Sequence, residues 1–130
     1  PVKELQEKEK ILPGILYIAP PDYHLLIEND RTFSLDASEK INFSRPSLDV
    51  TFESAAEVYH ENLVALLLSG ANSDGTLGLQ KIKENGGTAI VQNPETAVVS
   101  YMPENAVENV KTDEVLKPEE MAEYINKLSI

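Results

Sequence analysis

The chain has 130 residues, 42% of them apolar, no cysteine, and a formal net charge of −11 from 22 acidic and 11 basic residues. That length suffices for one domain burying roughly two-thirds of its unfolded surface. The absence of cysteine excludes disulfides, thiolate metal sites and a cysteine nucleophile. The basic residues are scattered and outnumbered, which argues against nucleic-acid binding, where concentrated positive charge must displace counterions.

No apolar run approaches the roughly 18–20 residues of a membrane span, and no signal peptide is expected. The expectation is a cytoplasmic protein without membrane insertion, whose acidity serves solubility. The sequon Asn42-Phe43-Ser44 reads as a chance match. The chain starts at Pro1 rather than Met, so it reads as trimmed or as a fragment.

In chain order, residues 1–10 are polar, with Val2 and Leu5 as the apolar exceptions, and suit a short edge strand or a connection. Residues 11–14 contain the turn signal Pro13-Gly14. Residues 15–19 (ILYIA) predict a strand, stopped by Pro20-Pro21. Residues 23–27 and 32–35 flank the turn residues 28–31 (ENDR) and predict a hairpin. Residues 44–47 (SRPS) open a helix, with Pro46 in the first turn and Ser44 as the cap before it. Leu48, Phe52, Ala55, Ala56 and Tyr59 then share one face, and Asp49, Glu53 and Glu57 point away from it. That helix ends within residues 59–62.

Residues 63–91 (LVALLLSGANSDGTLGLQKIKENGGTAIV) are the organising stretch. Residues 63–68 are a continuous apolar run of strand length, 69–75 a loop of small and polar residues, and 76–85 have helical spacing. Gly86-Gly87 suits the left-handed stop of a helix, and 88–91 is a second apolar run. Strand, loop, helix and strand make a βαβ unit, so the two strands should be parallel and buried. Function in such sheets lies in loops at the carboxyl ends of the strands, and the one ionisable side chain in that loop is Asp74.

Beyond it, Gln92-Asn93-Pro94 breaks the strand. Residues 95–101 predict a short helix interrupted by Met102-Pro103, with one or two more helical turns over 103–109. Residues 114–116 predict a last strand. Lys117-Pro118-Glu119-Glu120 starts a final helix with Met121, Ile125 and Leu128 as its apolar stripe.

Asp74 can be read in two ways. A carboxylate there gains from a helix N-terminus and can orient a histidine in an acyl-transfer triad. It can equally be a cap for the helix that follows it. His24 and His60 are the only histidines. They lack metal-ligand spacing, and each reads as a surface or half-buried residue. No Gly-x-Ser-x-Gly elbow exists, Ser73 has the wrong spacing for one, and a self-contained Ser73/His24/Asp74 triad is the weaker reading. Arg45 stands near a helix start, where a surface salt bridge would explain it.

The segments 17–26 (YIAPPDYHLL), 44–50 (SRPSLDV) with 52–56 (FESAA), 67–70 (LLSG) with Asp74-Gly75 and Gly78-Leu79, 86–88 (GGT), 92–97 (QNPETA), Met102-Pro103 and Val115-Leu116 occur in one order. In that order they resemble the C-terminal two-thirds of the catalytic domain of the chemotaxis protein-glutamate methylesterases, the CheB family. The resemblance implies an α/β fold: a mainly parallel sheet with helices on both faces and a β-hairpin, residues 1–130 forming a single partial domain. It implies a serine carboxyl-ester hydrolase acting on glutamyl methyl esters of chemoreceptor cytoplasmic helices, with glutamine deamidation in many members, in a phosphorelay pathway. No metal or organic cofactor is implied.

Asp74 matches the family's triad aspartate. Gly70 and Ala71 match the oxyanion and substrate loop, and Arg45 and Ser47 are candidate substrate contacts. The family's serine turn and catalytic histidine have no match in this sequence, and His24 matches a different position. Gly70-Ala71-Asn72 also departs from the family's frequent Gly-Met-Gly. A non-catalytic CheB-like partner-binding module is the alternative, and an enzyme of other chemistry on the same fold a further one. A sheet lacking its first strands would expose an edge and invite self-association.

Overall fold

The computed structural model describes residues 1–39 and 45–128. The expected cap at Ser44 and the sequon ending there lie outside the described residues. The strands are β1 (Val2–Glu4), β2 (Leu16–Ile18), β3 (His24–Ile27), β4 (Phe33–Asp36), β5 (Val64–Leu67), β6 (Thr88–Gln92) and β7 (Glu114–Leu116). The helices are α1 (Leu48–Tyr59), α2 (Thr76–Glu84), α3 (Tyr101–Asn109) and α4 (Pro118–Lys127), with 3-10 turns at His60–Asn62 and Pro94–Thr96.

The βαβ unit forms as its periodicity predicts. β5, β6 and β7 make a parallel sheet in that order, with Ala65 opposite Ala89 and Leu67 opposite Val91. Those four residues line one face. They join Ala56 of α1, Leu79 and Ile82 of α2, and Met102, Ala106 and Val110 of the α3 region in one buried cluster. Val64 and Leu66, on the opposite face of β5, are only half-buried. β3 and β4 form the expected antiparallel hairpin, and β1 pairs with β2 in parallel.

Glycine sets how closely the layers approach. A Cβ on Gly78 would lie 2.6 Å from Cβ of Phe52 and 3.1 Å from Cα of Asp49, so α1 and α2 touch at backbone distance there. Gly75, the N-cap of α2, has φ +98°, and a Cβ on it would lie 2.6 Å from Leu67. Only glycine meets both conditions without strain.

Five local expectations are corrected. Ser47 is the N-cap of α1, so Pro46 precedes the helix instead of occupying its first turn, and the Arg45–Pro46 peptide is cis. Asp49 does not point to solvent but is buried. Residues 95–101 are not an α-helix: the Pro94–Thr96 turn, capped by Asn93 Oδ1 accepting from the Glu95 N–H, gives way to loop. Met102-Pro103 does not interrupt a helix but lies in the first turn of α3, where a missing proline N–H costs no intrahelical bond. On α4 only Met121 of the expected stripe is buried, while Ile125 and Leu128 are exposed.

β7 is tied to the sheet by Asp113. Its carboxylate accepts from the Ala89 N–H (2.7 Å) and from Lys83 Nζ (2.9 Å). Burial raises the Asp113 carboxyl, but the Lys83 ammonium and the Ala89 N–H outweigh it, so its pKa lies below the usual carboxylate value. A depressed folded-state pKa stabilises above the unfolded value and is lost as pH falls through the folded one. Asp113→Asn should therefore cost about 1 kcal/mol at neutral pH, the link being partly solvent-screened. Urea melts at stepped pH should show that difference shrinking below about pH 4; a pH-independent difference would contradict it. At Gly78, alanine would ordinarily gain about 1 kcal/mol in a helix. Here the clash with Phe52 should reverse the sign, and thermal melting of Gly78→Ala should show a loss of about 1–3 kcal/mol.

Candidate functional site

The site is built where two helix N-termini meet at the carboxyl end of β5. Each α-helix leaves four N–H groups without an intrahelical acceptor, and the end carries a partial positive charge. At α1 these donors meet Asp74. Its Oδ1 accepts from the Ser47 hydroxyl (2.8 Å) and the Asp49 N–H (3.1 Å), and its Oδ2 accepts from the Leu48 N–H (2.6 Å). At α2 the donors meet Asp49, whose Oδ1 accepts from the N–H groups of Gly75 (2.9 Å) and Gly78 (2.8 Å).

Each aspartate therefore closes the helix of the other. The capping side of the Asp74 expectation is corrected accordingly: Asp74 caps α1, not the helix that follows it. α2 has Gly75 as its N-cap and no side-chain cap there. Ser47, the N-cap of α1, makes no cap bond of its own because its hydroxyl is given to Asp74.

Local chemistry aims Asp74 at α1. Its N–H donates to Asn72 Oδ1 (2.9 Å), closing an Asx turn. The left-handed Gly75 then starts α2 at once, leaving the Asp74 side chain outside that helix. Asp74 and Asp49 are both buried, at 3% and 5% exposure.

His24 extends the network. Its Nδ1 accepts from the Ser47 N–H (3.2 Å), and its Nε2–H donates to the Glu39 carbonyl (2.7 Å), which defines the neutral tautomer with the proton on Nε2. Both ring nitrogens are thus engaged away from Asp74. The side chain is fully buried, so the surface or half-buried reading is corrected for this histidine, while His60 is exposed. The self-contained Ser73/His24/Asp74 arrangement is not formed, because the imidazole is held by Ser47 and Glu39.

The two candidate substrate contacts, Ser47 and Arg45, both make bonds within the chain. Ser47 is buried, with its hydroxyl on Asp74. Arg45 Nη1 donates to the carbonyls of Ala37 (3.0 Å) and Ser38 (2.9 Å), tying the start of α1 to the segment after the hairpin.

Gly70 and Ala71 lie in the loop after β5, and Ala71 is exposed. This loop is fastened to the approach to α3. The Gly70 N–H donates to the Val99 carbonyl, the Gly70 carbonyl accepts from the Met102 N–H (3.0 Å each), and a Cβ on Gly70 would lie 2.7 Å from Met102 Sδ. Gln92, at the end of β6, accepts from the Ser69 N–H (3.0 Å) and donates to Thr96. Asp49 and Gln92 were not singled out from the sequence. Asp49 in the first turn of a helix, together with glycines at 75 and 78, is the signal that could have marked it. Among the described residues no group of three or more His, Cys, Asp or Glu side chains could hold a metal ion.

The family model described as CheB methylesterase matches residues 1–125. A putative protein-glutamate methylesterase/protein-glutamine glutaminase of Leptospira interrogans is 55% identical over 127 residues, covering 98% of this chain and 66% of that protein. A protein-glutamate methylesterase/protein-glutamine glutaminase of Thermotoga maritima is 42% identical over 131 residues, covering 95% of this chain and 38% of that protein. The crystal structure of the Thermotoga maritima CheB methylesterase catalytic domain superposes with a TM-score of 0.91 at 40% identity, covering 97% of this chain and 68% of that one. The chain thus spans just under two-thirds of the Leptospira relative and about two-thirds of the solved domain. With the family model matching residues 1–125 and the fold superposing at a TM-score of 0.91, the chain belongs to the CheB methylesterase family.

Proposed function

We propose that these residues form part of a serine carboxyl-ester hydrolase that removes methyl groups from glutamyl methyl esters on the cytoplasmic helices of chemoreceptors, and that also deamidates receptor glutamines. The observation that carries the reading is the fixed carboxylate of Asp74 at the carboxyl end of β5, held by three donors from the start of α1. In this role Asp74 accepts a hydrogen bond from the N–H of a catalytic histidine and stabilises the imidazolium that forms during turnover. The serine and that histidine come from the remainder of the domain.

The serine oxygen attacks the ester carbonyl as the histidine takes its proton. The tetrahedral intermediate expels methanol, which leaves with that proton. Water then cleaves the acyl-serine to give the glutamate and restore the serine. The backbone amide of Ala71, next to Gly70, is the candidate oxyanion donor, and alanine there retains an N–H. Arg45 acts at the rim of the site by holding the segment after the hairpin. No organic cofactor or metal enters the scheme, and no described helix is long and apolar enough to cross a membrane.

The open side of β5 belongs to the same reading. Among the described residues β5 pairs only with β6 in its sheet, and its residues 64–66 border an apolar groove of about 540 Å³ that reaches Leu5, Tyr17, Leu25 and Phe33. In the longer domain further chain fills this groove; alone, the 130 residues pair through it with a second copy.

Two measurements test the proposal. In the whole catalytic domain, Asp74→Asn should lower kcat for methanol release from methylated receptor by about 10⁴-fold while the melting transition stays cooperative. Release that survives the substitution, or that ignores a serine-reactive inhibitor, would overturn the mechanism. Sedimentation of the isolated 130 residues should show association; a strictly monomeric species with a cooperative melt would contradict the open-edge reading.

A further inference from the structure

We infer that Asp49 is the positioning residue for Asp74 in ester hydrolysis; this rests on the reading of Asp74 as the triad carboxylate. Asp49 holds the site from both sides. Its backbone N–H donates to Asp74 Oδ1 (3.1 Å), and its side-chain Oδ1 accepts from the N–H groups of Gly75 and Gly78 (2.9 and 2.8 Å). Gly75 directly follows Asp74, so the Asp49 side chain fixes the peptide that leaves Asp74 while its main chain fixes the carboxylate. The two carboxylates and two helix starts form a closed loop in which neither aspartate can shift alone.

The surroundings confine Asp49 closely. It is buried at 5% exposure, and its Cα would lie 3.1 Å from a Cβ on Gly78. A triad carboxylate must meet its histidine within a few tenths of an ångström, and a displacement of about 1 Å costs on the order of 10²-fold in rate. The work of Asp49 is to place an acceptor oxygen, not to supply charge to the reaction.

That distinction can be tested with three variants of the catalytic domain that contains this chain. Asp49→Asn keeps the acceptor oxygen in place without the charge. Asp49→Glu keeps the charge but moves the oxygen by one methylene. Glu57→Ala, on the exposed side of α1, is the control. Turnover of a glutamyl methyl ester peptide is normalised to the folded fraction measured by near-UV circular dichroism.

The expected order in kcat is wild type, then Asp49→Asn within about threefold, then Asp49→Glu down by about 10²-fold, with KM within about twofold throughout. Equal kcat per folded molecule in all variants would overturn the inference, leaving Asp49 a purely structural cap. So would Asp49→Glu outperforming Asp49→Asn, which would show that charge rather than placement matters. Failure of the underlying reading is visible separately: Asp74→Asn would then keep wild-type kcat in the same assay.

Discussion

Two helix starts face each other at the end of β5, and each is closed by a carboxylate that belongs to the other. Asp74 takes the donors of α1 and Asp49 those of α2, all at 2.6–3.1 Å. Burying two like charges in one region would be costly in isolation. Here two helix dipoles and five directed donors oppose that cost, and the donors themselves would be orphaned if either aspartate left. The exchange is therefore mutual: removing one carboxylate strands donors on the other's helix.

The rest of the architecture follows from the need to bring those ends together. Gly78 lets α1 and α2 meet at backbone distance, and Gly75 lets α2 start immediately after Asp74 against Leu67. The parallel pairing of β5 and β6 fixes where the loop after β5 emerges, and Gln92 and the 97–102 segment clamp that loop from the far side. His24 and Ser47 join the hairpin to the same point, with the imidazole oriented by the Glu39 carbonyl. The chain thereby holds one carboxylate firmly at the end of β5, which is what the proposed role of orienting a catalytic histidine requires.

Much of this was legible before the structure. The apolar runs at 63–68 and 88–91, with helical spacing between them and a glycine stop, are local signals, and they produced the parallel βαβ unit. The ENDR turn produced the hairpin. Asp74 stood out because it is the only ionisable side chain in the loop where such sheets place function. What stayed hidden is long-range. Rules for caps look three residues ahead, whereas Asp74 closes a helix that begins 26 residues upstream. Asp49 was placed on the solvent side because helical period alone assigns faces. In a first turn the neighbour can be another helix end, and polarity then marks a bond rather than exposure. The burial of His24 depends likewise on partners 15 and 23 residues away.

The mutual capping is tested most directly by a double-mutant cycle on unfolding free energy, with Asp49→Ala, Asp74→Ala and the pair measured in the same domain by urea titration. Coupled caps predict an interaction energy of about 1–3 kcal/mol, because the second substitution finds its partner's helix already loosened. Losses that add to within about 0.5 kcal/mol would contradict the account, since independent aspartates do not hold each other in place.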